Sequence, residues 1–189
     1  MNFFINLKNK KTIKIIDKEE QSIDINQLTR IVNYNSLIVN QLNIKIKDTV
    51  AIVLENGPEF VTSFLSSVNV CISAPLNPQY TLSEFSFYFK DLNPKALITN
   101  MKSSHPAIKM AYKNKVKIIR LKDFLFFVED KLLNKRIKKA RHSGLNDNAL
   151  ILHTSGTTSR PKMVALSHQN LLRSAHNISS SLKLTSRDK

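Results

Sequence analysis

Apolar side chains recur at Ile25, Leu28, Val32, Val39 and Leu42, one side of a 3.6-residue repeat, which predicts an amphipathic helix from Asp24 to Leu42. Asp24 can cap its first turn, with Gln27 three places on as the reciprocal partner. The period then changes. "TVAIVL" at 49–54 is a continuous β-branched run, the pattern of a strand buried on both faces. After it, "ENGPEF" supplies a turn, a proline at a first helical position and a glutamate on the favourable side of the dipole, predicting a helix from Pro58 to about Asn69. "VCISAPL" at 70–76 reads as a second buried strand, and "NPQYTLSE" as a turn into a second such helix, with Thr81 and Glu84 as its capping box. "PKALIT" at 94–99, a short helix over 104–113 and "KVKIIRL" at 115–121 continue the alternation. Residues 122–148 break it: Leu125, Phe126, Phe127 and Val128 need burial, whereas the basic run and "SGLNDN" after them look like a surface connection and a subdomain seam. "ALIL" at 149–152 and "MVAL" at 163–166 are two more strands, and Ser167 caps a last helix with Leu171, Ala175, Ile178 and Leu182 in one stripe. This order is α/β: a mostly parallel sheet with helices on its faces.

Composition fits that reading. The chain has 189 residues, 42% of them hydrophobic and 23% charged, the range of an ordinary folded protein. No stretch reaches the roughly 18 uninterrupted apolar residues of a membrane span, and Phe3, Phe4 and Ile5 are too few for a signal peptide. A single cysteine, Cys71, excludes a disulfide framework and fits a reducing compartment, hence a cytoplasmic expectation. Arg187, Asp188 and Lys189 are not a peroxisomal S-K-L address, so a peroxisomal location would need a signal on a longer product.

The net charge of +15 would suit a polyanion partner. Its densest cluster, Lys131, Lys135, Arg136, Lys138, Lys139 and Arg141, contains no aromatic residue on which a base could stack, which favours a solvated face over a specific nucleic-acid site. The histidines offer no metal set. His168 and His176 stand eight apart, more than two helical turns, and no carboxylate joins them with His153. Cys71 reads as core, and Glu59 as a helix-start acid.

The chemistry concentrates in "ILHTSGTTSRPKMV", residues 151–164. Thr154, Ser155, Gly156, Thr157, Thr158 and Ser159 bring five hydroxyls and a run of backbone amides, with Arg160 and Lys162 adding positive charge around Pro161. Donors from several directions match the oxygens of a polyphosphate. A Walker A loop is excluded, since a single glycine precedes Pro161 and a strand, and a nucleophile elbow is excluded because His153 stands where it needs glycine. With only Gly57, Gly144 and Gly156 in the chain, a Rossmann fingerprint is also excluded.

"TSGTTSRPK" resembles the phosphate-binding signature of the adenylate-forming acyl-CoA synthetase and ligase superfamily, which usually has glycine at the positions of Ser159 and Met163. "DTVAIVLENGPEFVTSFLSS" and "APLNPQYTLSEFSFYFKDLNPKALIT" look like the amino-terminal subdomain of that family, in the same order. "LHTSGTTSRPK" with "LSHQNLLRSAHNI" looks most like its oxalate–CoA ligase branch. The resemblance implies a two-step ligase: a carboxylate attacks the α-phosphate of ATP, accompanied by Mg2+, and coenzyme A then displaces AMP as an acyl-CoA thioester. It implies that residues 154–162 hold the terminal phosphates. In the family, the adenine and ribose contacts, the Mg2+-binding acid, the hinge and the catalytic lysine lie further downstream. No catalytic residue is therefore assigned in this chain, and it reads as an amino-terminal adenylation portion, incomplete at its carboxyl end and lacking the mobile domain. A non-catalytic remnant that binds phosphate or a protein partner is the competing expectation.

Overall fold

The computed structural model describes residues 14–16, 22–128, 133–154 and 161–185. A short antiparallel ribbon, β1 (Lys14–Ile16) with β2 (Ser22–Asp24), leads directly into α1 (Ile25–Gln41). The cap forms as its residues dictate: the Asp24 carboxylate accepts from the Asn26 and Gln27 amides, and Gln27 accepts from the Asp24 amide. There follow β3 (Thr49–Val53), α2 (Pro58–Val68), β4 (Ile72–Pro75), α3 (Leu82–Leu92), β5 (Ala96–Thr99), α4 (Pro106–Lys113), β6 (Lys117–Lys122), β7 (Leu125–Phe127), β8 (Asn148–Thr154), β9 (Lys162–Ser167) and α5 (His168–Ser181).

Seven strands form one sheet in the order β7-β6-β5-β3-β4-β8-β9. The five central strands are parallel, and each edge is closed by an antiparallel partner, β7 on β6 and β9 on β8. Strand parity divides the core. Ala51, Val53 and Leu97 face Phe85 and Phe89 of α3 and Ala107, Ile108 and Ala111 of α4. Val50, Ile52 and Ile98 face the other way, against Ile38 and Val39 of α1 and Leu42 just after it. Because β3 and β5 are covered on both sides, every one of their residues is buried, which is why they read as unbroken apolar runs.

Two features depart from the sequence pattern. Cys71 lies in the turn before β4 rather than within a strand; its thiol donates to the Ser67 carbonyl, and burial pushes its pKa upward. Residues 125–127 form an edge strand instead of irregular chain. Lys122 pairs with Leu125 across a two-residue turn, Asp123 and Phe124, both at positive φ (50° and 67°). That turn type usually carries Asn-Gly or Asp-Gly. Phe124 strains it by about 1–2 kcal/mol. Asn35 of α1 provides the compensation, donating to the Phe124 carbonyl and accepting from the Phe126 amide, both at 2.8 Å. Phe126 is thereby set into the core, 1% exposed, while Leu125 and Phe127 point to solvent.

Beyond β7, the described part of the basic stretch, Lys135 to Arg141, is not helical; it opens with a turn in which the Ile137 amide donates to the Asn134 carbonyl, and Gln41 at the end of α1 donates to the Ile137 carbonyl. Its cations are exposed. No helix among the described residues is long and apolar enough to cross a membrane.

Candidate functional site

The hydroxyl-rich segment leaves the sheet at its β8–β9 edge. Thr154 is the last residue of β8 and Lys162 the first of β9, and the two are direct partners in the antiparallel register. The Thr154 hydroxyl approaches the Lys162 carbonyl at 3.4 Å. Ser155, Gly156, Thr157, Thr158, Ser159 and Arg160 lie outside the described residues. Thus the structure brings together the two ends of the predicted site, with Pro161 half-buried beside Lys162.

Partners opposite each other across an antiparallel pair share a face, and residues two apart continue it. Thr154 and Lys162 therefore stand with Leu152 and Val164 on one face, where Leu152 is 39% and Val164 37% exposed. His153 and Met163 stand with Ile151 and Ala165 on the other. This second face looks toward α3, since Ile151 belongs to the cluster containing Phe85, Tyr88 and Phe89. The cationic and hydroxyl ends of the site thus open away from the core helix. Met163 is an ordinary strand residue; it is absent from the positive-φ positions of the described chain, so a side chain at this site costs no backbone strain.

His153 carries the contact that sequence reasoning missed. Its Nε2–H donates to Asp91 Oδ2 of α3 at 2.7 Å, the carboxylate being able only to accept. The imidazole side chain is 6% exposed, edge-on to Tyr88 (centroids 4.8 Å) and Phe87 (6.4 Å). Tyr88 stacks on Tyr80 at 4.8 Å, and the Tyr80 hydroxyl, with burial, pushes the Tyr88 phenol up to about 12. At the start of α3, Glu84 accepts from both the hydroxyl and the amide of Thr81, which holds its carboxyl below the usual range. A cleft of about 770 Å3 lies along this helix, lined by Ser83, Glu84, Phe87, Tyr88, Lys90, Asp91 and Pro161. The sequence spacing of 62 between Asp91 and His153 holds no local pattern that could have paired them. Their only signal is strand parity, which puts His153 on the Ile151 side.

Other candidates are dispersed. Cys71 is buried, and His168 is 5% exposed at the start of α5, where burial lowers its pKa against the opposing pull of Asp147 and the Val68 carbonyl. Glu59 accepts from the Asn100 side chain at 3.0 Å. No group of three His, Cys, Asp or Glu among the described residues is placed to hold a cation.

Comparison with known proteins settles the family: the AMP-binding enzyme profile matches residues 6–189. The chain belongs to the AMP-binding enzymes. An oxalate–CoA ligase of Arabidopsis thaliana is 38% identical over 162 residues, covering 81% of this chain and 31% of the relative. An oxalate–CoA ligase of Saccharomyces cerevisiae is 36% identical over 171 residues, covering 76% of this chain and 32% of the relative. The chain therefore spans about a third of the length of these relatives. In fold it is similar to ATP-bound MatB from Rhodopseudomonas palustris, with a TM-score of 0.76 over 95% of this chain and 37% of that one, at 24% identity. As an AMP-binding enzyme chain, it has the α/β architecture, a mostly parallel sheet flanked by helices, that the alternating apolar runs predict, with β7 as the strand they did not.

Proposed function

We propose that this chain supplies the triphosphate-binding part of an AMP-forming acid–thiol ligase, which activates a carboxylate with ATP and passes the acyl group to coenzyme A. The observation that carries the reading is the pairing of Thr154 with Lys162 at the mouth of the β8–β9 hairpin, with "SGTTSRP" as the intervening sequence. Relatives whose names specify oxalate–CoA ligase support a short dicarboxylate, oxalate first, as the acid.

In this mechanism residues 154–162 position rather than react. The hydroxyls of Thr154, Ser155, Thr157, Thr158 and Ser159 and the amides around Gly156 donate to the β- and γ-phosphate oxygens, while the Lys162 ammonium offsets their charge. Holding the terminal phosphates fixes the α-phosphorus for attack by the carboxylate oxygen. The P–O bond to pyrophosphate breaks, and its developing negative charge falls on oxygens already surrounded by donors. The acyl-adenylate then exchanges AMP for the thiol of coenzyme A. Mg2+ enters with ATP as part of the substrate, and no step is assigned to a resident metal.

The test is carboxylate-dependent ATP–pyrophosphate exchange by the full-length protein, with oxalate, malonate, succinate and a fatty acid as trial acids. Exchange with oxalate that is lost in Lys162→Ala supports the reading. Absence of exchange with every acid in a folded, monodisperse preparation refutes it.

A further inference from the structure

The hairpin that carries Thr154 and Lys162 is thinly supported. Its partner on the inner side is β4, and the residue pairing between β4 and β8 consists of Ser73 with Leu150, four residues short of Thr154, where the strand ends. Leu152, Met163 and Val164 near its end are all more than a third exposed. A segment that must present donors to a polyphosphate needs a fixed base, because geometric error in a donor directly weakens electrostatic positioning.

Among the described residues, a side-chain hydrogen bond reaches that base from a helix, the Asp91–His153 bond. Asp91 sits in the last turn of α3, where the carbonyl end of the helix dipole disfavours a carboxylate. A partner that donates to it relieves that repulsion. His153 is nearly buried although its neighbours Leu152 and Thr154 are exposed, and both Phe87 and Tyr88 of the same helix face hold its ring at fixed angles. Bond and ring contacts together join the exit of β8 to a helix whose own start is fixed by the Thr81–Glu84 capping box.

We infer that Asp91 and His153 are positioning residues for the phosphate-binding segment: the 2.7 Å bond between them anchors the strand end from which that segment departs, and so sets affinity for the triphosphate of ATP. This rests on the ligase reading above. Neither side chain touches substrate in this role; each acts through the placement of Thr154 and, across the ladder, Lys162.

The test compares Asp91→Ala, His153→Phe, the double variant and His153→Gln in the full-length protein. Phenylalanine keeps the ring contacts and removes the donor; glutamine places an amide N–H near the position of Nε2. Two readouts are needed. Amide hydrogen exchange at Thr154 and Lys162, referenced to Val50–Val53, reports the anchor without any nucleotide. The KM for MgATP and the kcat of pyrophosphate exchange report its use. Asp91→Ala and His153→Phe are each expected to accelerate exchange at Thr154 and Lys162 and to raise the KM for MgATP about 5- to 10-fold, a charge-assisted bond discounted for partial exposure, with kcat within about 2-fold. The double variant should be no worse than either single one, and His153→Gln should stay near wild type. Unchanged exchange at Thr154 and Lys162 overturns the anchor. Accelerated exchange with an unchanged KM overturns its role in binding ATP while leaving the ligase reading intact. Parallel falls in kcat, KM affinity and melting temperature, not rescued by glutamine, mark a merely structural contact and also overturn it. If the wild type itself performs no adenylation, the ligase reading fails first and this role with it, a result distinguishable because it precedes any substitution.

Discussion

The centre of the sheet and its β8–β9 edge are built to opposite rules. In β3 and β5 every residue is buried, and helices cover both faces. At the edge, β9, α5 and the residue capping its end carry Met163, Val164, Ile178 and Leu182 at 37–66% exposure, and the predicted apolar stripe of α5 ends in solvent among the described residues. Stability is concentrated where burial is complete, since each apolar side chain withdrawn from water contributes about 1.5–3 kcal/mol. The polar chemistry lies where it is not, because a donor already satisfied in the core cannot turn to a ligand. The two regions should therefore respond to substitution in different currencies: the centre in folding free energy, the edge in nucleotide binding and turnover.

The sharpest way to break this contrast is to truncate the centre. Phe85 is fully buried against Phe89, Tyr80 and the His105 ring. Phe85→Ala should cost about 3–5 kcal/mol, read as a lowered denaturant midpoint at constant m-value. Lys162→Ala is the converse. It removes an exposed cation, so stability should shift by less than about 0.5 kcal/mol, while adenylation falls about 100-fold or more, the scale for losing one preorganised donor to a developing oxyanion. A Lys162→Ala protein that instead melts early and retains turnover would erase the distinction between the two regions.

Between these extremes are the helix starts. Thr81→Ala should cost about 1 kcal/mol of stability, since it removes the acceptor for the Glu84 amide and the hydroxyl that holds Glu84 ionised. Thermal melts of the variant and wild type would measure it.

Much of the central fold was legible because local and global signals coincide there. The Asp24–Gln27 and Thr81–Glu84 boxes, Pro58 at a helix start and the β-branched runs all formed as their chemistry dictates. The β6–β7 hairpin was not legible: Asp123-Phe124 lacks the glycine that announces such a turn, and the compensation comes from Asn35, some 89 residues away. The site divides similarly. Residues 154–162 stand out by hydroxyl density and charge, a local property, whereas Asp91 and His153 acquire their relation only when α3 is laid against β8. Long-range polar pairs leave no period in a single chain.

The smallest effect expected is a pH dependence at the junction of the two regions, where α5 starts beside the core. Burial lowers the pKa of His168, outweighing the raising influence of Asp147 and of the Val68 carbonyl. The neutral ring is the form the fold accepts. A lowered folded value means that its contribution is fully present above the ordinary histidine range, around pH 6.5. It is lost as pH falls through the folded value, where the unfolded chain binds the extra proton more readily. Melting temperature should thus fall modestly as pH drops from about 7.5 to about 5.5, before carboxylates with ordinary values of about 4 begin to titrate. His168→Gln should flatten that slope, at some cost in stability at neutral pH. Because His168 stands immediately after β9, hydrogen exchange across the same pH range should show the loss first at α5 and β9, with β3 and β5 unmoved. A uniform loss across all four elements would mean that edge and centre unfold as one unit and that the difference between them is one of exposure alone.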